Sequence, residues 1–198
     1  LRGSGAAKDV TEAAKWFQLA ASAGNSDAQY MLGQCFFGGL GVAKDVNEGL
    51  EWLRKSVAQD NPKAQTDLGR RYYYGDGVAE NETEAVKWFR PAAAHGNAPA
   101  QALLGECCLR GAGTAKDATE ALKWLRLSAE QGDAMAIYYL GATCLNGDGV
   151  PKDAAKAAQY FRQSADLGFA KAQLWLSLRY ENGDGVGKDL VQAWMWIH

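Results

Sequence analysis

Paired glycines recur along this chain at one fixed interval. Gly3/Gly5, Gly39/Gly41, Gly75/Gly77, Gly111/Gly113, Gly147/Gly149 and Gly183/Gly185 each follow the previous pair by 36 residues. Asp9, Asp45, Asn81, Asp117, Asp153 and Asp189 keep the same step, as do Trp16, Trp52, Trp88, Trp124, Tyr160 and Trp196. With 198 = 5 × 36 + 18, the repeat runs through the whole sequence without an insertion or deletion. A fixed period of roughly 20–50 residues predicts a solenoid, in which each unit buries its apolar face against its neighbours.

Each period carries two helix start signals. Asp9-x-x-Glu12, Asp45/Glu48, Asn81/Glu84 and Asp117/Glu120 have the capping-box pattern, while Lys156 and Gln192 replace the Glu in the later periods. Ala13, Trp16, Phe17, Ala20 and Ala21 then form one apolar helical stripe. Gly24, Gly96, Gly132 and Gly168, with Asp60 as a substitute, are placed to close these first helices in the left-handed conformation. The first helix of a unit is helix A. Helix B starts at Asn25, Asn61, Asn97 and Asp133, with Pro62 at a first helical position, and runs to the glycine pair. Gly33, Gly69, Gly105 and Gly141 fall in the middle of helix B, where glycine costs about 1 kcal/mol relative to alanine. Close approach by a neighbouring helix is the expected compensation, with Trp16 and its equivalents filling the volume beside the small residues.

The phrase Ala64-Gln65-Thr66-Asp67-Leu68-Gly69, followed by an aromatic and Gly75-Asp76-Gly77-Val78, resembles the Sel-one-like repeat family, relatives of the tetratricopeptide repeats. The resemblance implies a right-handed α/α superhelix whose A helices line the concave side, and a non-enzymatic role in holding other proteins together. Thr114, Asn81, Tyr160 and Ser177 depart mildly from the pattern, and Pro91 should kink helix A of the third unit. The expected fold is all-α: a right-handed α/α superhelical solenoid of about 5.5 tandem 36-residue helix-turn-helix repeats. Its helix pairs fall near 9–39, 45–75, 81–111, 117–147 and 153–183, with a half repeat over 189–198, in one domain over 1–198. Leu1 entering in mid-phrase suggests a piece of a longer chain.

Composition narrows the function. Twenty-one basic and 23 acidic residues give a net charge of -2, so there is no cationic footprint for nucleic acid. No apolar run reaches the roughly 18 residues of a membrane-spanning helix. Cys35 and Cys107 are equivalent, as are Cys108 and Cys144, but equivalent helices of neighbouring units stand about 8–10 Å apart, too far for a disulfide. They read as buried structural thiols, which fits a reducing compartment and leaves periplasmic or secreted settings open. No CxxC pair, nucleophile motif or phosphate-cradling loop is present, and only two histidines are available, so no metal, cofactor or catalytic residue is expected. The recurring Gly-Asp-Gly-Val reads as a turn device.

The candidate site is the polar side of helix A. Gln18, Arg54, Arg90, Arg126, Arg162 and His198 are equivalent there, flanked by Lys15, Lys87 and Lys123. This arginine column would offer bidentate forks to an acidic protein or peptide partner. Its alternative is structural, with the arginines pairing carboxylates of the next unit. Lys15, Gln18, Arg54, Lys87, Arg90, Lys123, Arg126 and Arg162 are thus the expected partner-binding residues of a scaffold or adaptor. A bacterial immunity or inhibitor-like protein blocking one toxin or enzyme is the alternative, and a hydrolase a second. Trp194, Trp196 and Ile197 give the last half repeat an apolar character suited to self-association.

Overall fold

A computed structural model of the chain describes residues 9–197. Among these residues there are eleven helices and no strand. The chain divides into two compact units, Leu1–Ala92 and Ala93–His198. The first contains α1 (Val10–Ser22), α2 (Ser26–Gly38), α3 (Val46–Val57), α4 (Pro62–Tyr74) and most of α5 (Glu82–Ala94). The second contains α6 (Ala98–Arg110), α7 (Ala118–Glu130), α8 (Ala134–Asn146), α9 (Ala154–Asp166), α10 (Ala170–Asn182) and α11 (Leu190–Met195).

The start signals act as the sequence predicts. Asp9, Asp45, Asp117 and Asp189 each accept two backbone N–H bonds from the first turn of the helix they open. Asn25, Asn61, Asn97 and Asp133 cap the B helices through the same chemistry. Phe169 stands at that position before α10 and supplies no side-chain cap. The N–H groups that the reciprocal half of the capping box would satisfy go to helix B instead: Asp45, Asn81 and Asp117 donate to the Phe36, Tyr72 and Cys108 carbonyls. Glu120 accepts from Trp124 Nε1 at 3.2 Å and from Cys108 Sγ at 3.6 Å, and Glu84 pairs with Lys87. Asp60 adopts φ +56° where the other A helices close on glycine.

The glycine pair has two separate duties. Its first member closes helix B in the left-handed region, as Gly75 does at φ +71°. Its second brings the loop back onto the start of helix A of the same repeat. A Cβ on Gly185 would lie 2.1 Å from the Ala154 carbonyl oxygen, so no larger residue fits.

Apolar burial is distributed along the chain. In unit 1, one cluster gathers Ala14, Ala21, Ala28, Leu32 and Cys35, and the next gathers Leu50, Leu53, Val57, Ala64 and Leu68. In unit 2, Leu122, Leu125, Ala136 and Leu140 form one cluster, and Cys144, Phe161, Ala172 and Leu176 belong to another. Helix B packs most closely on helix A of the following repeat for α2 on α3, α6 on α7 and α8 on α9, whereas α10 packs more on α9 than on the short α11. That is nearest-neighbour burial, and it makes the chain an α/α solenoid in architecture.

The mid-helix glycines of helix B sit at these contacts. A Cβ on Gly33 would stand 3.0 Å from the Gly49 carbonyl oxygen, backbone to backbone. The tryptophans, however, do not fill the core. In three repeats the residue after the tryptophan does: Leu53, Phe89 and Leu125 are wholly buried, while Trp16 is 63% exposed and Trp52, Trp88 and Trp124 are half-buried. Helix A is wedged between its own helix B and the preceding one, so its buried face centres one residue later than the tryptophan. The indole covers the seam from the side: Trp52 packs on the first apolar cluster and Trp196 on the last. Pro91 lies inside α5, which continues without a break from Glu82 to Ala94. There it removes only one donor, the bond its N–H would have made to the Lys87 carbonyl.

Polar staples lock successive repeats. Ser56, Ser128 and Ser164 are fully buried on helix A. Each donates its hydroxyl to a backbone carbonyl at the start of the preceding helix B: Ser26 at 2.7 Å, Ala98 at 2.8 Å and Ala134 at 2.6 Å. Gln59 donates to Gln29 Oε1, and Gln29 in turn donates to the Ala21 carbonyl. Gln131, Gln101 and Ala93 repeat that relay in unit 2.

Candidate functional site

Helix A presents one consistently exposed side. Lys15, Gln18, Arg54, Lys87 and Arg90 of unit 1 and Lys123, Arg126 and Arg162 of unit 2 are all exposed, and His198 lies outside the described residues. The same folding rule puts them there throughout. Burial centres on Leu53, Phe89, Leu125 and Phe161, with Phe17 half-buried at the same place, so the residues two before and one after each of these turn outward.

Their surroundings differ. Lys15 lines a shallow depression of about 580 Å³ with Asp9, Thr11, Glu12, Trp16 and Leu19. Lys87 is paired with Glu84 one turn earlier. Lys123 Nζ lies 5.0 Å from the centre of the Trp124 ring, and Lys55, beside Arg54, stands 3.8 Å above Trp52. The Arg162 guanidinium donates to the Tyr180 hydroxyl, 5.7 Å from the centre of that ring and 5.6 Å from the Trp196 ring. Arg126 is close enough to Cys144 for its charge to favour the thiolate, although burial dominates and pushes that thiol up. The expected alternative partners were carboxylates of the next repeat. For Arg162 the structure supplies aromatic rings instead. Each cation–π contact of this exposed kind is worth about 0.5–1 kcal/mol.

The sequence carried the signal for these contacts. Trp52, Trp124 and Trp196 belong to the 36-residue tryptophan series, whereas Tyr180 stands on helix B. A second pattern was equally legible. Arg71 and Asp76 occur together, as do Arg179 and Asp184, whereas Cys35 goes with Leu40 and Cys107 with Ala112; Thr143 goes with Asp148, the one carboxylate of the series without an arginine. Arg71 is buried and bonds Asp76 at 3.0 Å and Asp67 at 3.3 Å, with its guanidinium 3.2 Å from the Phe37 ring. Arg179 reaches Asp184 at 3.2 Å, and Lys116 reaches Asp148 at 3.5 Å. The carboxylate of Gly-Asp-Gly-Val therefore ties the loop down, in keeping with a turn device.

No group of three or more His, Cys, Asp or Glu side chains among the described residues is arranged to hold a metal ion, and no helix of the structure is long and apolar enough to cross a membrane. All four cysteines are buried. Burial also raises the Cys35 thiol above its ordinary value, the opposite of what a nucleophilic thiolate needs.

Helix pairs packed by nearest-neighbour contacts within each unit, each A helix carrying its cations on its exposed side, define a helical repeat protein. The Sel1 repeat model matches residues 1–25, 26–61, 62–97, 98–133, 134–169 and 170–198, and the chain belongs to the Sel1 repeat family. That family is a non-catalytic repeat scaffold fold whose members generally mediate protein–protein interaction.

Among solved structures, a Sel1 repeat protein from Oxalobacter formigenes is 35% identical over 96% of this chain and 78% of its own, with a TM-score of 0.85. A protective antigen of uropathogenic Escherichia coli strains, displaying an SLR fold, is 36% identical over 98% of this chain, with a TM-score of 0.81; the match spans 42% of that protein's length. An immunity protein from Pseudomonas aeruginosa shares the fold at 24% identity, covering 99% of this chain and 71% of its own, with a TM-score of 0.61. No curated protein sequence matches the chain.

Proposed function

We propose that this protein is a non-catalytic adaptor whose A-helix face binds an acidic protein or peptide partner. The observation that carries this reading is the exposed basic column, Lys15, Arg54, Lys87 and Arg90 in unit 1 and Lys123 and Arg126 in unit 2. Net charge is slightly negative, so this concentration of cations on one side of the A helices is local rather than a property of the whole surface. Guanidinium forks at regular intervals favour carboxylates that are themselves spaced along a partner.

The experiment is charge reversal. Arg54→Glu and Arg126→Glu, singly and together, should weaken binding of an acidic partner, steepen with falling salt, and leave the thermal midpoint within about 2 °C of wild type. A midpoint that drops while binding survives would make the column structural.

A second reading, blockade of one toxin or enzyme, draws on the shared fold of the Pseudomonas immunity protein. It requires a tight one-to-one complex with a single target, where an adaptor engages several. Exposed Leu190, Val191, Trp194 and Met195 on α11 favour self-association as an additional property, which sedimentation over a concentration series decides.

A further inference from the structure

Arg126 and Arg162 occupy the same place in consecutive repeats of unit 2, yet their environments are unlike. We infer that they divide the work: Arg126 is the guanidinium presented to a partner carboxylate, and Arg162 is a positioning residue that clamps Tyr180 and Trp196 and thereby holds α11 on α10. This rests on the acidic-partner reading for Arg126 only; the Arg162 half stands on contacts within the chain.

The Arg162 side chain is already engaged. One terminal nitrogen donates to the Tyr180 hydroxyl, and the planar group lies within 6 Å of two ring centres, Tyr180 on α10 and Trp196 just past α11. α11 needs such a hold. A helix of six residues is marginal on its own. Ala193 is its one buried residue, while Leu190, Val191, Trp194 and Met195 face outward. Trp196 packs on the apolar cluster of Cys144, Phe161 and Leu176, and its indole N–H is buried without an acceptor. The ring is therefore held through its faces, and Arg162 supplies one of those contacts. A guanidinium tied to a phenol and an indole has fewer N–H groups and less freedom to fork a ligand.

Arg126 stands on α7 in the equivalent position, and the residue at the place of Tyr180 is Cys144. A thiol offers no ring face and only a weak acceptor. Among the described residues Arg126 enters no ion pair, hydrogen bond or ring contact, and its side chain is exposed. It keeps the whole donor fork for a ligand.

The test uses the intact chain and two readouts. A fluorescein-labelled deca-glutamate peptide reports binding by anisotropy at low salt, and hydrogen–deuterium exchange followed by mass spectrometry reports residues 190–197. Arg126→Gln should weaken the peptide about fivefold with exchange at 190–197 unchanged. Arg162→Gln should leave the affinity within about twofold and raise exchange at 190–197 several-fold, and Tyr180→Phe should give the same exchange change in smaller degree. Equal loss of affinity in the two arginine variants with no change in exchange would overturn the division. Failure of the wild-type protein to bind the peptide would sink the acidic-partner reading and the Arg126 half with it, while the exchange arm still decides Arg162.

Discussion

The Phe89 ring occupies the space that a Cβ on Gly69 would need, with ring carbons 2.5 Å and 2.6 Å from that position. The Ala85 carbonyl oxygen is behind it at 3.1 Å. Glycine is thus kept in mid-helix because the following helix A is seated against its backbone. Gly69→Ala should gain about 1 kcal/mol of helix propensity and lose more, about 1–3 kcal/mol, by displacing Phe89. Urea denaturation should show a lower midpoint; an unchanged or higher midpoint would mean the contact is looser than described.

The buried serine staple has a natural control in the same sequence, since Ala92 holds the serine position of its repeat. Ser128→Ala removes the donor to the Ala98 carbonyl and leaves a shape the fold already tolerates. The expected cost is about 1 kcal/mol, with secondary structure by circular dichroism unaltered.

Asp133 illustrates a cap working against its surroundings. Burial raises its carboxyl above the ordinary value, outweighing the Ala136 and Met135 N–H bonds that favour the charged form. A raised carboxyl pKa means the folded state holds its proton to higher pH than the unfolded chain. Stability therefore falls as pH rises through the folded value. Asn25, Asn61 and Asn97 make the same cap without charge. Asp133→Asn should raise the thermal midpoint at pH 7 by about 1–2 °C, and the gain should shrink in acid as the wild-type group protonates. A gain that persists unchanged at low pH would point to another cause.

The Arg71 network separates a buried ion pair from an exposed one. Asp76 is largely exposed and Asp67 mostly buried, while Arg71 itself is covered. Asp76→Asn should cost under about 1 kcal/mol, as exposed pairs do. Arg71→Met leaves Asp67 with only the Gln34 amide, which donates at 2.8 Å, and should cost about 3 kcal/mol. Comparable losses for the two variants by chemical denaturation would contradict this ranking.

Local chemistry made the helices legible. Asp9 and its equivalents could be recognised as caps because a short acceptor before an apolar stripe has one good use. Asp60 could be recognised in place of a glycine because the chain must turn left-handed there. The exposed side of helix A was legible for the same reason, a period close to 3.6 with cations at one phase. The phase of the core was misjudged by one residue at the tryptophans. Hydrophobicity ranks Trp52 beside Leu53, but only packing between two B helices decides that Leu53 is enclosed and Trp52 is left at the seam.

The division of the arginine column was beyond the sequence for a related reason. Arg126 and Arg162 are identical letters at identical repeat positions, and although Cys144 stands where Tyr180 does, only packing shows that an exposed arginine of helix A reaches that place. Repetition by itself determined the helix pairs, their caps, the glycine contacts and the side on which charge collects, because these depend on residues close in sequence or one period away. Which arginine rests on aromatic rings and which keeps its donors was decided by tertiary structure. Cation–π and hydrogen-bond energies fall off within a few ångströms, and only the packed positions of Tyr180, Trp196 and Cys144 set those distances.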